Sequence, residues 1–214
     1  MASKRVFISA TDTEAGKTWV TASAIRALLK EGNRAIALKP VACGLDDHGR
    51  NEDIDALLAA QGLTDPDQIS LYRYALPAAP SQAAAAEGAT IDADKLVEWC
   101  ESQSADVDTC LIEGVGGLMV PITDSWLVSG WVEAMPDAEI WLVVGCKLGA
   151  INQTLLTLEK LKQMGRTPSR IFFNATKAEQ NDWLNPTLRS VKPFLNKHCE
   201  VHTLKFTEEV ALGS

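Results

Sequence analysis

Residues 10–18 read Ala-Thr-Asp-Thr-Glu-Ala-Gly-Lys-Thr, and this stretch together with its flanks determines the fold class. A short apolar run, residues 6–8, comes before it, and a segment with helical character, residues 19–30, follows. A strand, a tight loop that ends in Gly-Lys-Thr and a helix together form a phosphate-binding motif. An ordinary strand–turn–helix corner is the alternative, but the presence of both flanking elements favours phosphate binding.

The residue types of this P-loop suit phosphate chemistry. Gly16 has no Cβ, so backbone N–H groups can approach phosphate oxygens closely, and the helix N-terminus adds positive potential. Lys17 can reach the β- and γ-phosphates, and the Thr18 hydroxyl can bind Mg²⁺. Ala10 stands where the usual pattern has its first glycine. We expect the loop to keep its shape, because alanine is penalised mainly at positive φ.

Composition limits the classes of function. The chain has 214 residues, 46% hydrophobic content and a net charge of −8 without a Lys/Arg-rich run, which argues against a nucleic-acid partner. Its five cysteines show no C-x-x-C spacing, which favours reduced thiols over disulfides or metal ligands. We find neither a run of membrane-spanning length nor a signal-peptide pattern, so we expect no membrane partner and a cytoplasmic protein.

Apolar runs alternate with helical patterns, as parallel βαβ units require. We predict strands at residues 5–10, 34–39, 109–113, 139–144, 170–174 and, with a weaker pattern, 200–204. We predict helices at residues 17–31, 51–61, 80–87, 92–102, 126–134, 151–164 and 183–196, with Asp92 as an N-cap and Gly165 as a C-cap. Several strands are apolar on both faces, which predicts an α/β P-loop NTPase with helices on both faces of a mostly parallel sheet. Residues 1–214 contain no repeat or linker and are predicted to form one domain.

Ligands of such sheets bind beyond the carboxyl ends of the strands, where several polar residues stand. Lys39 ends the second strand, and Glu113 ends the third in a Walker B-like pattern that can deliver an acid to a metal. Asp53 and Asp55 follow the second strand, and either can supply another metal oxygen; an acid-rich helix N-terminus is the alternative for both. Asn174 ends the fifth strand, where it can read a base edge or simply favour a turn.

Four motifs in order along the chain carry a resemblance to a known family. They are Thr-Asp-Thr-Glu-Ala-Gly-Lys-Thr at 11–18, Lys-Pro-Val-Ala-Cys-Gly at 39–44, Glu-Gly-Val-Gly-Gly at 113–117 with Pro121 beyond it, and Gly-Cys-Lys-Leu-Gly-Ala-Ile-Asn at 145–152. On these motifs the chain, to about residue 174, resembles the dethiobiotin synthetases, the ATP-dependent carboligases of biotin biosynthesis. The ordered set is far more specific than any one motif.

The resemblance implies a reaction and a homodimer. The substrates 7,8-diaminononanoate, CO₂ (or bicarbonate) and ATP would give dethiobiotin, ADP and phosphate through a carbamate and a carbamic–phosphoric anhydride. Lysines and Mg²⁺ would serve this chemistry by electrostatics and positioning. Substrate sites would lie near the interface between two copies of the chain.

The resemblance also implies roles for individual residues. The catalytic residues would be Lys17 and Lys39. ATP would be bound by Glu14, Ala15, Gly16, Lys17, Thr18, Asp55, Glu113, Gly116 and Asn174, and Mg²⁺ by Thr18, Asp55 and Glu113. The substrate would contact Thr13, Cys43, Pro80, Ser81, Leu148, Gly149, Ile151 and Asn152. Cys43 stands where the family has Ser or Thr, and the C-terminal part lacks the family's Ile-Pro segment that helps enclose adenine.

Two other functions fit parts of the pattern. A partitioning-type ATPase switch shares the broad fold, but such proteins carry a lysine early in the loop, where this chain has Asp12. A catalytically weakened homologue that acts as a binding protein is suggested by Ala10 and Cys43. The retained Lys17 and Lys39 favour the enzyme over this second alternative.

Overall fold

The computed structural model describes residues 3–211 of the chain. Within this range the strands are β1 (Lys4–Ala10), β2 (Ala35–Leu38), β3 (Val41–Cys43), β4 (Tyr72–Tyr74), β5 (Thr109–Gly117), β6 (Glu139–Gly145), β7 (Arg170–Asn174) and β8 (Glu200–Leu204). The α-helices are α1 (Lys17–Lys30), α2 (Glu52–Gln61), α3 (Pro80–Ala86), α4 (Ala93–Ser104), α5 (Val128–Ala134), α6 (Ala150–Gln163) and α7 (Asn181–Val191).

A parallel sheet of six strands forms the centre of the molecule. Its strand order is β2-β5-β1-β6-β7-β8, and every neighbouring pair runs parallel. Because parallel neighbours must be joined by crossovers, helices separate the strands along the chain. The predicted α/β class, with a mostly parallel sheet, is confirmed.

Both faces of this sheet are buried along its inner strands. Along β6, Trp141 and Val143 pack into one apolar cluster, which includes Val20 and Ile25 of α1. The intervening Leu142 and Val144 pack into a second cluster, on the side of α6 and α7. Since side chains alternate along a strand, this division places helices on both faces, as the doubly apolar strands predicted.

Apart from shifts of one or two residues at the ends of elements, the structure differs from the sequence-based boundaries in three places. Strand β5 continues to Gly117, four residues past the predicted end at residue 113. The short strands β3 and β4 were not predicted; they pair with each other in a separate parallel sheet, because the Lys39 amide donates to the Ile69 carbonyl and the chain leaves the main sheet there. Helix α7 spans Asn181–Val191 and is followed by a 3₁₀ turn, Lys192–Phe194; Pro193 in that turn has no backbone N–H with which to continue the α-helix.

Two predicted helix caps are confirmed. The Asp92 carboxylate accepts a hydrogen bond from the Lys95 amide at the start of α4. Gly165 follows α6 with a φ of 68°, a conformation that glycine adopts without strain. All five cysteines are free, and no helix in the described part of the chain is both long and apolar enough to span a membrane.

Candidate active site

Three neighbouring strands bring the charged residues of the site together. β1 lies between β5 and β6 in the sheet, and β2 pairs with the other side of β5. At the carboxyl edge, β1 leads into the P-loop, β5 carries Glu113, and β2 leads into Lys39. Residues that are far apart in sequence therefore meet at one edge of the sheet, as expected for a parallel α/β protein.

The P-loop has the backbone conformation that its residue types predict. Gly16 precedes α1 with a φ of 89°. Within the described residues, Glu14 and Thr207 are the non-glycine residues with positive φ, so Ala10 does not need a glycine conformation. This meets the condition on φ under which the loop was expected to keep its shape with alanine at position 10.

Lys39 is buried between two carboxylates. Its Nζ lies 2.7 Å from Glu113 Oε1 and 3.0 Å from Asp53 Oδ2. Lys39 is 4% exposed and Glu113 is fully buried. Burial alone would lower the pKa of Lys39, but the charges of Glu113 and Asp53 outweigh it and raise that pKa above its ordinary value. Lys39 is therefore protonated at neutral pH.

Oxygen atoms of three residues converge beside this ammonium. Thr18 Oγ1 lies 2.6 Å from Asp53 Oδ1 and 2.8 Å from Glu113 Oε1. Its single proton can be donated to one of these carboxylates at a time. Glu113 Oε2 is buried and has no hydrogen-bond partner within residues 3–211. Such an uncompensated oxygen, in a cluster of hard donors, fits the ligand set that Mg²⁺ prefers.

The structure places Asp53, and not Asp55, in this cluster. Asn51 caps α2 by accepting hydrogen bonds from the amides of Asp53 and Ile54, which fixes the first turn. Asp53 then points toward Thr18, whereas Asp55 is exposed and lines a neighbouring cavity with Asp46. Burial would raise the pKa of Asp53, but the Lys39 charge and the Thr18 hydrogen bond outweigh it, so that pKa is lowered.

The second buried lysine is free of direct partners. Lys17 is 6% exposed, and within the described residues its Nζ makes no hydrogen bond or ion pair. Burial and then the neighbouring Lys39 charge lower the pKa of Lys17 to about 8. An anion bound in the cleft would reverse part of this penalty, because it would supply the missing negative charge.

A cleft of about 760 Å³ opens over these groups. It is lined by Thr13, Glu14, Gly16, Lys17, Thr18, Lys39, Cys43, Asp53, Pro77, Ala78, Ala79, Pro80, Val115, Gly116, Val120, Thr176 and Lys177. The lining includes five of the nine residues predicted to bind nucleotide and three of the eight predicted to contact substrate. The volume is in the usual range for a small-molecule site.

Cys43 lies at the end of β3 and is partly buried in the cleft wall. Burial raises the pKa of its thiol to about 11. The thiol is therefore protonated at neutral pH and offers a weak hydrogen-bond donor rather than a nucleophilic thiolate.

Two residues predicted to bind nucleotide are buried, one within the P-loop and one beneath it. Asn174 is 1% exposed, and its Nδ2 donates to the Ala15 carbonyl oxygen over 2.9 Å. Ala15 is itself 1% exposed. Neither side chain lines the cleft in this structure. Asn174 contacts the P-loop backbone instead.

Another group of predicted substrate residues lies away from the cleft. Gly149 precedes α6 with a φ of 91°, and Leu148, Ile151 and Asn152 beside it are exposed, Leu148 to 85%. None of these four residues lines the cleft. Ser81 lies next to Pro80 in the first turn of α3, and its amide donates to the Pro121 carbonyl.

A polar contact joins this helix start to the P-loop. The Asp12 carboxylate accepts hydrogen bonds from Lys147 Nζ at 2.7 Å and from Gln153 Nε2 at 3.1 Å. The Lys147 hydrogen bond is the largest cause that lowers the pKa of Asp12. Asp12 is therefore engaged within the fold and does not enter the cleft.

Sequence reasoning missed two polar residues of the cleft. Thr176 and Lys177 follow β7 and line the cleft beside Gly16. Their position just past a strand that ends at the same edge is the signal in the sequence that could have identified them. The remaining lining residues that were not predicted are apolar or small, and of these Val115 belongs to the motif at residues 113–117.

Fold and site together define a P-loop NTPase of the α/β class. A family model described as "AAA domain" matches residues 4–204. Among solved structures, the MinC:MinD cell division protein complex of Aquifex aeolicus is similar with a TM-score of 0.55 and 16% identity, covering 97% of this chain and 82% of that one. A putative plasmid partition protein of Borrelia burgdorferi, bound to AMPPNP, has a TM-score of 0.53 and 11% identity, covering 100% and 93%. These structural similarities show the fold alone.

The curated relatives identify the family. The ATP-dependent dethiobiotin synthetase BioD of Methylobacterium nodulans is 41% identical over 167 residues, covering 73% of this chain and 74% of that protein. The protein of the same name from Legionella pneumophila is 40% identical over 165 residues, covering 74% of each. The chain belongs to the dethiobiotin synthetase family.

Proposed function

We propose that this protein catalyses the ATP-dependent formation of dethiobiotin from 7,8-diaminononanoate and CO₂, with release of ADP and phosphate. Family membership supports the reaction class. The observation that carries the proposal is the pair of buried lysines, Lys17 and Lys39, set beside an oxygen cluster at the wall of one cleft.

The proposed reaction needs positive charge in two places. An amine of the substrate adds to CO₂ and loses a proton, which gives a carbamate. A carbamate oxygen attacks the γ-phosphorus of ATP, the bond to the bridging oxygen breaks, and ADP leaves. The second amine then attacks the carbamoyl carbon, phosphate leaves, and the ureido ring closes. Lys17 and Lys39 are the groups that would neutralise the phosphoryl and carbamate anions as they approach.

The environments of the two lysines suit this division of work. Lys17 begins the helix that follows the P-loop and has no carboxylate partner, so an incoming phosphate can pair with it directly. Lys39 is held at the cleft wall by Glu113 and Asp53, and its charge acts on Cys43 in the same wall. We assign Lys17 to the γ-phosphate and Lys39 to the junction between phosphate and carbamate.

We assign Mg²⁺ to Thr18, Asp53 and Glu113, so Asp53 replaces Asp55 in the proposed ligand set. The bound metal would neutralise charge on the phosphate oxygens during transfer. The protein's own contribution is to hold one hydroxyl and two carboxylates in fixed positions on α1, α2 and β5.

The substrate site is proposed to include a second copy of the chain. Thr13, Cys43, Pro80 and Gly116 line the cleft of one copy. Four other predicted substrate residues are exposed and do not line the cleft of their own copy: Leu148, Gly149, Ile151 and Asn152. In a homodimer they would contribute to the site of the partner copy. Exposed Met119 and Leu156, at 59% and 64%, extend the apolar surface near this segment.

Coupled turnover tests the proposed activity. ADP release would be followed with ATP, Mg²⁺, bicarbonate and 7,8-diaminononanoate, and with each one omitted, while mass spectrometry detects dethiobiotin. We expect ADP release and dethiobiotin in equal amounts and only in the complete mixture. ATP hydrolysis at the same rate with and without diaminononanoate would support the partitioning-type switch. Tight diaminononanoate binding without turnover would support the weakened homologue.

Sedimentation tests the proposed homodimer. The wild-type protein should sediment as a dimer, and Leu148→Asp should dissociate it and suppress turnover. Phe194→Asp is the matched control, since Phe194 is 65% exposed in a different part of the chain. A stable, fully active wild-type monomer would contradict the dimer.

A further inference from the structure

The contact between Asn174 and the P-loop fixes one peptide plane. Asn174 Nδ2 donates to the Ala15 carbonyl oxygen over 2.9 Å, and the two residues lie 159 positions apart in sequence. Because a carbonyl oxygen only accepts, the amide nitrogen of Asn174 must face it. Both residues are 1% exposed, so water does not compete for the bond.

The direction of this carbonyl sets the direction of the next amide. In a planar trans peptide, the C=O of Ala15 and the N–H of Gly16 point to opposite sides. Asn174 holds the carbonyl toward the end of β7, beneath the loop. The Gly16 N–H therefore points away from β7, and in the described residues it meets no hydrogen-bond acceptor.

Close packing surrounds this part of the loop. A Cβ at Gly16 would lie 2.1 Å from Asn174 Nδ2, and the observed φ of 89° also disfavours side chains there. On the neighbouring strand, a Cβ at Gly145 would come within 3.0 Å of the Ala15 Cα. Residues 15 and 16 thus rest directly on the ends of β6 and β7.

We propose that Asn174 is a positioning residue for phosphate binding: through the Ala15–Gly16 peptide, it directs the Gly16 amide into the cleft. The proposal rests on the proposed nucleotide site and assigns Asn174 a task that does not depend on the base. It differs from the base-reading role suggested by the position of Asn174 at a strand end.

Affinity for a ligand without a base distinguishes these two roles. Binding of ATP, CTP and inorganic tripolyphosphate would be measured by calorimetry for the wild type, Asn174→Ala and the isosteric Asn174→Asp. In Asn174→Ala the Gly16 amide should lose its charge-assisted contact with phosphate. The affinity for all three ligands should then fall by a similar factor, roughly tenfold or more. Asn174→Asp should bind the three ligands no more tightly than Asn174→Ala does, because its carboxylate repels the Ala15 carbonyl. A loss confined to ATP would overturn the proposal in favour of base reading.

Asn33→Ala is the matched control. Asn33 Nδ2 also donates to a backbone carbonyl, that of Leu28, at the far end of α1 from the P-loop. This variant should bind all three ligands as the wild type does. If Asn174→Ala also binds tripolyphosphate like the wild type, the positioning role is refuted, whereas a wild type that binds no ligand refutes the nucleotide site itself.

A spectroscopic readout covers the case in which neither Asn174 variant folds. In the ¹⁵N-labelled wild-type protein, the Gly16 amide should shift strongly on addition of tripolyphosphate, as expected for a new hydrogen bond to an anion. The Asn33 amide reports unspecific effects. An unshifted Gly16 amide at saturating tripolyphosphate would contradict the proposal without any substitution.

Discussion

Replacing Lys39 with methionine should destabilise the protein well beyond the effect of a surface lysine. The change keeps most of the side-chain volume but removes the ammonium between Glu113 and Asp53. Glu113 is fully buried, so its carboxylate would lose its nearest counter-charge without gaining water. The site offers no other ion-pair partner for Glu113 among residues 3–211.

The distances give the scale of the effect. A pair of unit charges separated by 2.7 Å, as Lys39 and Glu113 are, has a Coulomb energy of about 6 kcal/mol at an effective dielectric constant of about 20. The hydration that buried charges give up offsets part of this attraction. Breaking a buried pair by removing one partner generally costs about 3–5 kcal/mol, and we expect Lys39→Met to lower the free energy of unfolding by that amount.

Urea unfolding without nucleotide or metal measures this difference. Lys4→Met is the control, because Lys4 and Glu139 form a pair at 3.0 Å that is 49% and 40% exposed. The control should lose no more than about 1 kcal/mol. The double variant Lys39→Met/Glu113→Gln should recover at least about 1 kcal/mol relative to Lys39→Met, since the orphaned charge is gone. A Lys39→Met loss equal to that of Lys4→Met would refute the buried ion pair.

Three further predictions concern single residues. Lys17→Ala should reduce turnover by about 10²–10³-fold. Lys30→Ala, on the exposed last turn of α1, should leave turnover unchanged. Equal rates for the two variants would show that Lys17 takes no part in phosphoryl transfer. With a pKa of about 11 instead of 9.0, the Cys43 thiol should be alkylated at pH 8 about 100-fold more slowly than an ordinary thiol. Diaminononanoate should protect Cys43 from alkylation. Full activity after confirmed modification would show that Cys43 is peripheral. Burial lowers the pKa of His202, so just below pH 6.5 the unfolded chain binds more protons than the folded one. The free energy of unfolding should therefore fall as the pH drops through that window. Urea unfolding of His202→Phe should lack this pH dependence, and a profile identical to that of the wild type would disprove it.

The phosphate-binding half of the site was predictable because it depends on local pattern and on strand direction. Gly16, Lys17 and Thr18 occupy fixed places between a strand and a helix, and the structure keeps them there. Lys39 and Glu113 could be predicted to lie at the same edge of the sheet, because the carboxyl ends of parallel strands share one edge. Their direct contact needed the strand order, which places β2 beside β5.

The choice between Asp53 and Asp55 required the rotation of α2 about its axis. Residues two apart on a helix point about 200° apart, so only one of them can face the cleft. Ile54 and Leu57 are buried and set that rotation, which leaves Asp55 exposed. The sequence contains this hydrophobic pattern, but it does not state which elements the apolar side packs against.

The position of Asn174 could not be predicted for a different reason. Its place at a strand end was visible, but its partner is a backbone carbonyl, and carbonyls are the same in every residue. Likewise, the role proposed for residues 148–152 depends on a second copy of the chain, whose placement no local pattern encodes.

The long sequence separations within the site have a consequence for folding. The contacts of Glu113 with Thr18 and Lys39 span 95 and 74 residues, and the contact of Asn174 with Ala15 spans 159. Contacts of such range form slowly, because chain entropy must be lost before they are gained. A chain emerging from the ribosome can pair β1, β2 and β5 once residue 117 is available, but the Asn174 contact must wait for most of the remaining chain. We therefore expect the acquisition of tight triphosphate binding to mark one of the last steps of folding.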